Sequence, residues 1–493
     1  MKRILGWALA LLMLLSCISL SCAEERTVLY VTRACFNLRN PIPSQVKKVE
    51  NAINAYIADK INVEIRLTEI GSDHYGEKVW DLIRQGKEIN LLWTASWEDV
   101  IGTNQLVANH AVYDLTDLLP GTLLHSAMAV DLWEETRYNG RNYFVPVDKD
   151  NVEGYDFMFR KELADAHGWN LDDVHSLKDL EPLLADAKAD GLRYPFLTQN
   201  TSMFYRWYID RFDFFTGDVR TNFFGVDRET DEVVNTVATP EYLEFCQLMG
   251  RWADLGYISE DEVNRVTTDT TTQTKNWGIS WWTDVPVNSE ASARYGQPIA
   301  VRKATERYAH SNSALGSCYC VTAGSTKEQA RAAVEFLGLL YRDRALADMY
   351  TYGLEGEDFE YTQTEEQAIR HVTLKSMKYN HSTWESASVM SVTPLDNEPD
   401  NKVNLYLDFN GSAIDSPAVG FRFDRTPVEE QFTACQALFE QYGFRLENGG
   451  VPEAEVAGCI AEYQNALDAA GYQDVLAEFQ RQYDEWKKTT REG

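Results

Sequence analysis

Cysteine is scarce in this chain and follows no regular spacing. Only 8 of the 493 residues are cysteine, and no CxxC pair occurs. A small disulfide-stapled domain needs a denser framework, so that class is excluded. Buried free thiols are expected, with a Cys435–Cys459 pair as the open alternative because both lie on successive predicted helices. The thiols beyond residue 23 are Cys35, Cys246, Cys318, Cys320, Cys435 and Cys459.

Motifs of metal-dependent and nucleophilic enzymes are also missing. The 8 histidines show no HExxH spacing, and no GxSxG elbow, Walker loop or dinucleotide fingerprint occurs. Asp148–Asn151 resembles the start of a calcium loop, but Val152 and Glu153 stand where a ligand and the turn glycine belong. We therefore predict no catalytic residues, no metal and no cofactor. A secreted glycoside hydrolase stays open, because some pair among 76 carboxylates will have a suitable separation.

Positive charge is scarce as well. The chain has 46 Lys and Arg against 76 Asp and Glu, a formal net charge of -30. Repulsion from phosphates makes nucleic acid or an anionic membrane surface an unsuitable partner. The 44% of hydrophobic residues suffices for several cores, so two or three domains are expected.

The N-terminus has the composition of an export signal over residues 1–23. A charged head precedes an apolar run, Ile4–Leu15, which is shorter than the roughly 20 residues of a membrane-spanning helix. Lipidation is predicted at Cys22, which would anchor the protein to the outer face of the cell membrane. Cys17 is the alternative lipidation site, and ordinary cleavage at Ala23 would release the protein outside the cell.

Beyond the signal, strand and helix patterns alternate. Predicted strands at Thr27–Thr32, Val63–Leu67 and Leu91–Trp93 are separated by helices, an order that indicates a parallel sheet flanked by helices. Ligands bind at the carboxyl ends of the strands of such sheets. The candidate ligand-binding residues on that rim are Arg33, Thr94, Ser96 and Trp97.

Aromatic residues make up 12% of the chain and include 13 tryptophans. An indole can stack on the C–H face of a pyranose ring, while the sugar hydroxyls need polar side chains at the edges. Trp93 lies inside a strand and is expected in the core. For Trp97 and for one of Trp281 and Trp282 a core role is the open alternative. The further ligand-binding candidates beside these aromatic clusters are Trp207, Trp281, Trp282 and Asp284.

The stretch from Asn90 to Val147 has a specific order of elements. An apolar strand ends in the hydroxyls and indoles of Thr94–Trp97, and a second strand, Tyr143–Val147, carries the chain onward. This order resembles family 1 of the extracellular solute-binding proteins, which feed ABC importers. In that family the loop lines a ligand cleft and the second strand crosses between two lobes. The resemblance implies that Asp148 and Lys149 lie at the cleft floor as ligand contacts or hinge residues, and a plain solvated turn is the open alternative.

A second resemblance covers the C-terminal third. Gly420–Asp424 and Glu478–Trp486 are similar to a C-terminal domain of unknown function found in one branch of these lipoproteins. Together the resemblances imply an α/β fold: a two-lobed clamp of the periplasmic-binding-protein type, each lobe a mostly parallel sheet flanked by helices. The expected boundaries are 1–23 for the export signal, 24–147 and 313–345 for lobe one, 148–312 and 346–420 for lobe two, and 421–493 for a helical C-terminal region.

The function that the family resemblance implies is transport, not catalysis. We expect a monomer that captures a carbohydrate, an oligosaccharide by the family's habits, and delivers it to the ABC permease subunits. A peptide-binding or sensory protein that uses the same cleft stays open beside the glycoside hydrolase.

Overall fold

The structure is a computed structural model that describes residues 25–98, 100–214, 219–267, 271–287, 292, 295–310 and 312–491. The predicted export signal, including Cys22, lies outside the described residues. Across these ranges, no helix is both long enough and apolar enough to cross a membrane.

Two larger sheets organise the molecule. The first has the strand order β2-β1-β3-β13-β4 and the second has the order β11-β5-β10-β6. The strands are β1 Thr27–Cys35, β2 Val63–Gly71, β3 Leu91–Thr94, β4 Phe144–Pro146, β5 Tyr155–Arg160, β6 Tyr194–Phe196, β7 Phe212–Asp213, β8 Phe224–Asp227, β9 Glu232–Asn235, β10 Trp277–Thr283, β11 Ile299–Lys303, β12 Tyr308–Ala309, β13 Cys318–Val321, β14 Phe359–Thr362, β15 His371–Leu374 and β16 Ile414–Asp415.

Both larger sheets are mixed in strand direction. β1 runs parallel to β2 and β3, whereas β13 runs antiparallel to β3 and β4. In the second sheet β5 runs antiparallel to β10 and β11, and β10 runs parallel to β6. The α/β fold is confirmed, but the sheets are mixed and not mostly parallel. The chain reaches β13 from the second lobe and not through a β-α-β unit. The preference of β-α-β connections for parallel strands therefore does not set the direction of β13.

Helices cover both sheets. The first, Pro43–Ile57, buries Val46, Val49 and Ile53 against the sheet, which is the spacing of an amphipathic helix. The helices that follow are Tyr75–Arg84, Thr103–Ala108, Val130–Glu135, Lys161–His167, Glu181–Ala189, Met203–Trp207, Pro240–Asp254, Glu260–Val263, Lys327–Leu340, Arg344–Tyr352, Thr383–Ser386, Lys402–Gly411, Glu429–Leu438, Phe444–Glu447, Val456–Ala469 and Tyr472–Arg491.

Most of the buried apolar residues between 346 and 395, a stretch expected in lobe two, belong to the first core. Helix Arg344–Tyr352 contacts helix Pro43–Ile57, and Val372 and Tyr379 are buried in the same cluster as β1. This corrects the boundary predicted at residue 346. The cause is long-range packing, which leaves no local trace in the sequence.

The C-terminal helices pack onto the second core. Cys435, Tyr463 and Phe479 belong to the same buried cluster as the β8 residue Phe224. Helix Glu429–Leu438 continues through a π-helical turn, Phe439–Gly443, into Phe444–Glu447. The C-terminal region is thus part of the second lobe's core.

The thiols within the described residues are free. Cys435 and Cys459 do not pair, and all except the half-buried Cys459 are buried. The prediction of buried free thiols is confirmed for the other five.

Candidate functional site

A cleft of about 460 Å³ lies between the two cores, a volume within the range of roughly 300–1,000 Å³ of small-molecule sites. The first core contributes the loop after β3 and helix Thr383–Ser386. The second core contributes the end of β10 and helix Met203–Trp207. Crossing segment 149–153 and, from the second crossing, residues 310, 312, 313 and 316 form the remaining wall.

On the first-core side, the loop after β3 presents an indole. Trp97 is 41% exposed, and its Nε1 donates a hydrogen bond to the Gly316 carbonyl at 2.6 Å. The ring packs against Trp384, with centroids 6.4 Å apart. Ser96 donates to the Asn312 carbonyl at 3.1 Å, which ties the loop to the crossing segment. This face of the cleft is therefore an aromatic platform on a fixed backbone.

On the second-core side, β10 ends in two adjacent tryptophans. Trp281 is half-buried, and its Nε1 donates to the Thr198 carbonyl at 3.0 Å. The Arg206 guanidinium carbon lies 3.5 Å from the Trp281 ring centroid. Trp282 is buried and packs edge-on against Tyr295 at 5.4 Å. Successive strand residues point to opposite faces, which explains why the two indoles differ in exposure.

The crossing segments supply charged groups. Lys149 Nζ lies 3.2 Å from the carboxylate of Asp150. Glu153 accepts hydrogen bonds from the Tyr155 hydroxyl and interacts with His310 Nε2. Burial alone would raise the pKa of Glu153, but His310 and these hydrogen bonds outweigh burial and hold that pKa below its ordinary value.

Three polar atoms of cleft-lining residues have no hydrogen-bond partner among the described residues. They are Arg206 Nε, His310 Nδ1 and Asn312 Nδ2, and each is buried. A buried polar group without a partner costs about 1–3 kcal/mol. A polar ligand could relieve that cost, so these atoms are candidates for ligand recognition.

Most of the residues that line the cleft were not among the predicted site residues, and they include Arg206, His310, Asn312 and Trp384. Arg206 lies within the aromatic cluster around Tyr205 and Trp207, which was the one available signal. His310 and Asn312 reach the cleft from a crossing segment and Trp384 reaches it from a helix of the first core, and no local pattern reveals that these positions meet.

Two of the predicted rim residues do not reach the cleft. Arg33 is fully buried in the first core, where it pairs with Glu69 on β2 at 2.6 Å and lies 3.8 Å from the Tyr350 ring centroid. Thr94 is also buried, and its hydroxyl donates to the Ile101 carbonyl. The rule that ligands bind at the carboxyl ends of strands locates a strand end, but it does not give the direction of the side chains there. Both residues are therefore left out of the proposed site.

Three further predicted residues also lie outside the cleft lining. Trp207 packs in the second core, with its ring 4.9 Å from that of Phe157. Asp284 faces a separate depression and pairs with Arg307 at 2.5 Å. Asp148 accepts a hydrogen bond from Ser388 at 3.3 Å, and burial raises its pKa to about 6. Core packing occupies Trp207, an ion pair occupies Asp284, and a hydrogen bond occupies Asp148.

One group among the described residues has metal-ligand geometry. Ligand atoms of Cys35, Glu69 and His381 lie within 4.8 Å of one another. The guanidinium of Arg33 pairs with the same carboxylate of Glu69. A fixed positive charge beside the carboxylate opposes a second cation, so the group fits a buried ion cluster better than a metal centre.

The chain belongs to the bacterial extracellular solute-binding proteins, because the model of that family matches residues 51–355. Residues 417–488 match the domain of unknown function DUF3502. Both matches confirm the resemblances found in the sequence. Membership of an extracellular family makes this an exported protein.

Individual relatives share the same architecture. A carbohydrate ABC transporter substrate-binding protein of Streptococcus pneumoniae is 23% identical over 458 residues, which are 91% of this chain and 90% of the relative. The crystal structure of the N-glycan transport solute binding protein NgtS from the same species has a TM-score of 0.80 at 22% identity, covering 94% of this chain and 99% of that chain. Its complex with Man1GlcNAc has a TM-score of 0.74 at 22% identity, with the same coverage. These likenesses establish the fold.

Proposed function

We propose that the protein captures an oligosaccharide in the cleft between its lobes and delivers it to an ABC permease. The observation that carries this proposal is the cleft itself, where Trp97 and Trp384 of the first core face the same space as Trp281 of the second. Indoles suit the C–H faces of sugar rings, and the polar groups between them suit hydroxyls. The relatives named above are a carbohydrate-binding and a glycan-binding transport protein.

A ligand that touches both lobes favours the closed clamp. Contacts made only when the lobes meet give the ligand a higher affinity for the closed state, which shifts the population toward closure. A permease that recognises the closed form would then accept loaded protein in preference to empty protein. Trp97 and Trp281 come from different cores, as this mechanism requires.

Binding without turnover is part of the proposal. A glycoside hydrolase needs a carboxylic acid whose pKa is raised so that it can donate a proton. Glu153, which lines the cleft, has its pKa held below the ordinary value by His310, and Asp150 pairs with Lys149. These environments suit ligand hydrogen bonding and not proton donation.

The cellular setting completes the proposal. We propose that the exported protein works as a monomer, that its partners are permease subunits, and that Cys22 carries the lipid that keeps it at the outer face of the membrane. A single acyl chain binds membranes weakly, so stable anchoring needs a cysteine that bears more than one chain.

The test is a binding panel of Man1GlcNAc, Man5GlcNAc, maltose and a tetrapeptide. Melting temperature and reaction products are followed together for each compound. A ligand at about 100 times its dissociation constant adds about 2.7 kcal/mol of stability, and we expect this for at least one oligosaccharide. Stabilisation by the tetrapeptide alone would favour a peptide-binding protein, and steady release of cleaved sugar would favour a hydrolase.

A further inference from the structure

Arg422 connects the C-terminal domain to the wall of the cleft. It lies in Gly420–Asp424, within the region that matches the domain of unknown function. Its Nη1 donates a hydrogen bond to Asn312 Oδ1 at 2.8 Å, and its Nη2 donates to the Glu135 carbonyl at 2.8 Å. The neighbouring Phe421 is buried in the second core. One side chain thus joins the C-terminal domain, the first lobe and the crossing segment.

This contact determines which way the Asn312 amide faces. A guanidinium group has donors and no acceptor, so the amide must turn its oxygen toward Arg422. The amide nitrogen, Nδ2, is then on the other branch and has no partner among the described residues. The backbone of Asn312 is also fixed, because its carbonyl accepts the Ser96 hydroxyl at 3.1 Å. Asn312 therefore offers a donor, and not an acceptor, at the wall of the cleft.

We propose that Arg422 is a positioning residue for ligand recognition: it holds Asn312 so that Nδ2 donates to an acceptor oxygen of the bound ligand. The C-terminal domain thereby takes part in binding specificity. The matching ligand group is a sugar hydroxyl oxygen or an amide carbonyl. This inference rests on the proposed oligosaccharide function and adds to it the chemistry of one contact.

The test is a double-mutant cycle on ligand affinity. It compares wild type, Arg422→Gln, Asn312→Ala and the double variant, using calorimetry with whichever of Man1GlcNAc, Man5GlcNAc or maltose binds wild type most tightly. Asn312→Asp adds an isosteric probe, because it keeps the oxygen that faces Arg422 and replaces the Nδ2 donor with an acceptor. Arg425→Gln is the matched control, since Arg425 lies in the same segment and pairs with Glu429.

We expect Asn312→Asp and Arg422→Gln each to weaken binding by about tenfold or more, the effect of losing a buried hydrogen bond. In the Asn312→Ala background, Arg422→Gln should then change affinity by less than about twofold, as two residues acting through one contact do. Arg425→Gln should leave affinity unchanged. If Arg422→Gln does not fold, Arg422→Lys, which keeps the charge without the planar fork, replaces it in the cycle.

An equal loss from the Arg422 substitution in both backgrounds would overturn the inference, because Arg422 would then act on general stability. Unchanged affinity in Asn312→Asp would also overturn it. If wild type binds no sugar of the panel, the proposed function fails and this inference fails with it. If wild type binds sugar and the affinity losses from the Arg422 and Asn312 substitutions are additive, the inference about Arg422 fails and the proposed function stands.

Discussion

The guanidinium group of Arg206 lies over the indole of Trp281, 3.5 Å from the ring centroid. A cation over an indole is worth about 0.5–2 kcal/mol, depending on how far it is desolvated. The indole Nε1 is held in addition by the Thr198 carbonyl. Trp281 is therefore fixed in orientation before any ligand arrives, and a preorganised platform loses little entropy on binding.

This arrangement predicts that Trp281→Ala weakens oligosaccharide binding by about tenfold or more, which is about 1.4 kcal/mol per tenfold. The loss combines the stacking contact and the apolar area that it buries. Calorimetry on the variant measures it. Trp207→Ala is the matched control, because Trp207 belongs to the same core as Trp281 and packs against Phe157 outside the cleft lining. It should lower the melting temperature and leave affinity intact. Equal loss of affinity in both variants would contradict the proposed site.

Trp93 and Trp97 form a second matched pair in the first core. Trp93 is fully buried and Trp97 is 41% exposed at the cleft. Trp97→Ala should weaken binding about tenfold with a small change in the melting temperature of the unliganded protein. Trp93→Ala should instead destabilise the protein by about 3–5 kcal/mol through a core cavity. Thermal unfolding and calorimetry separate the two effects. Destabilisation without loss of affinity in Trp97→Ala would place that indole in the core.

Local patterns predicted the framework of the site. The alternation of strand and helix located β1, β2 and β3, and the indoles after β3 and at the end of β10 line the cleft. The polar residues Ser96 and Lys149 were also located, but His310 and Asn312 were not predictable, because they arrive from the second crossing between the lobes. Their partners are up to hundreds of residues away, and such pairing leaves no periodicity in the sequence.

Arg33 shows where the reasoning about the rim fails. A basic residue at a strand end suggests a ligand contact, yet Arg33 stands opposite Glu69 in the register of two parallel strands. The ion pair draws the side chain into the core. The sequence did contain a signal for this ion pair. Glu69 follows the second predicted strand at the position that pairs with Arg33 when the two strands run parallel.

The lipid anchor predicted at Cys22 has a direct test. Cys22→Ala should release the protein into the culture medium, because the thiol that carries the lipid is gone. Cys17→Ala is the matched control and should stay bound to the cell. Immunoblots of cell and medium fractions measure the distribution. Equal release of wild type and Cys22→Ala would indicate ordinary cleavage at Ala23 and a soluble exported protein.

The buried cluster of Arg33, Glu69 and His381 predicts a stability change at low pH. Burial raises the pKa of Glu69, but His381 and Arg33 outweigh it and lower that pKa from 4.5 to about 2. A folded-state pKa below the unfolded value stabilises the fold above pH 4.5, and this contribution is lost as the pH falls toward about 2. Burial and Arg33 lower the pKa of His381, but Glu69 and Cys35 outweigh them and raise it, so the contribution of His381 is lost as the pH rises through that raised value.

Glu69→Gln should therefore cost about 3–5 kcal/mol at neutral pH, because it removes the buried carboxylate that Arg33 and His381 share and leaves Glu385 beside His381 as the remaining acid. Urea unfolding between pH 2 and 7 should show that the variant loses the part of the pH dependence below pH 4.5. Asp165→Asn is the control: Asp165 forms an exposed pair with Lys161, which is worth about 0–1 kcal/mol. Ligand affinity of Glu69→Gln should stay unchanged at 25 °C, since the cluster lies outside the cleft. A variant with lower affinity and full stability would return Arg33 and its partners to the binding site.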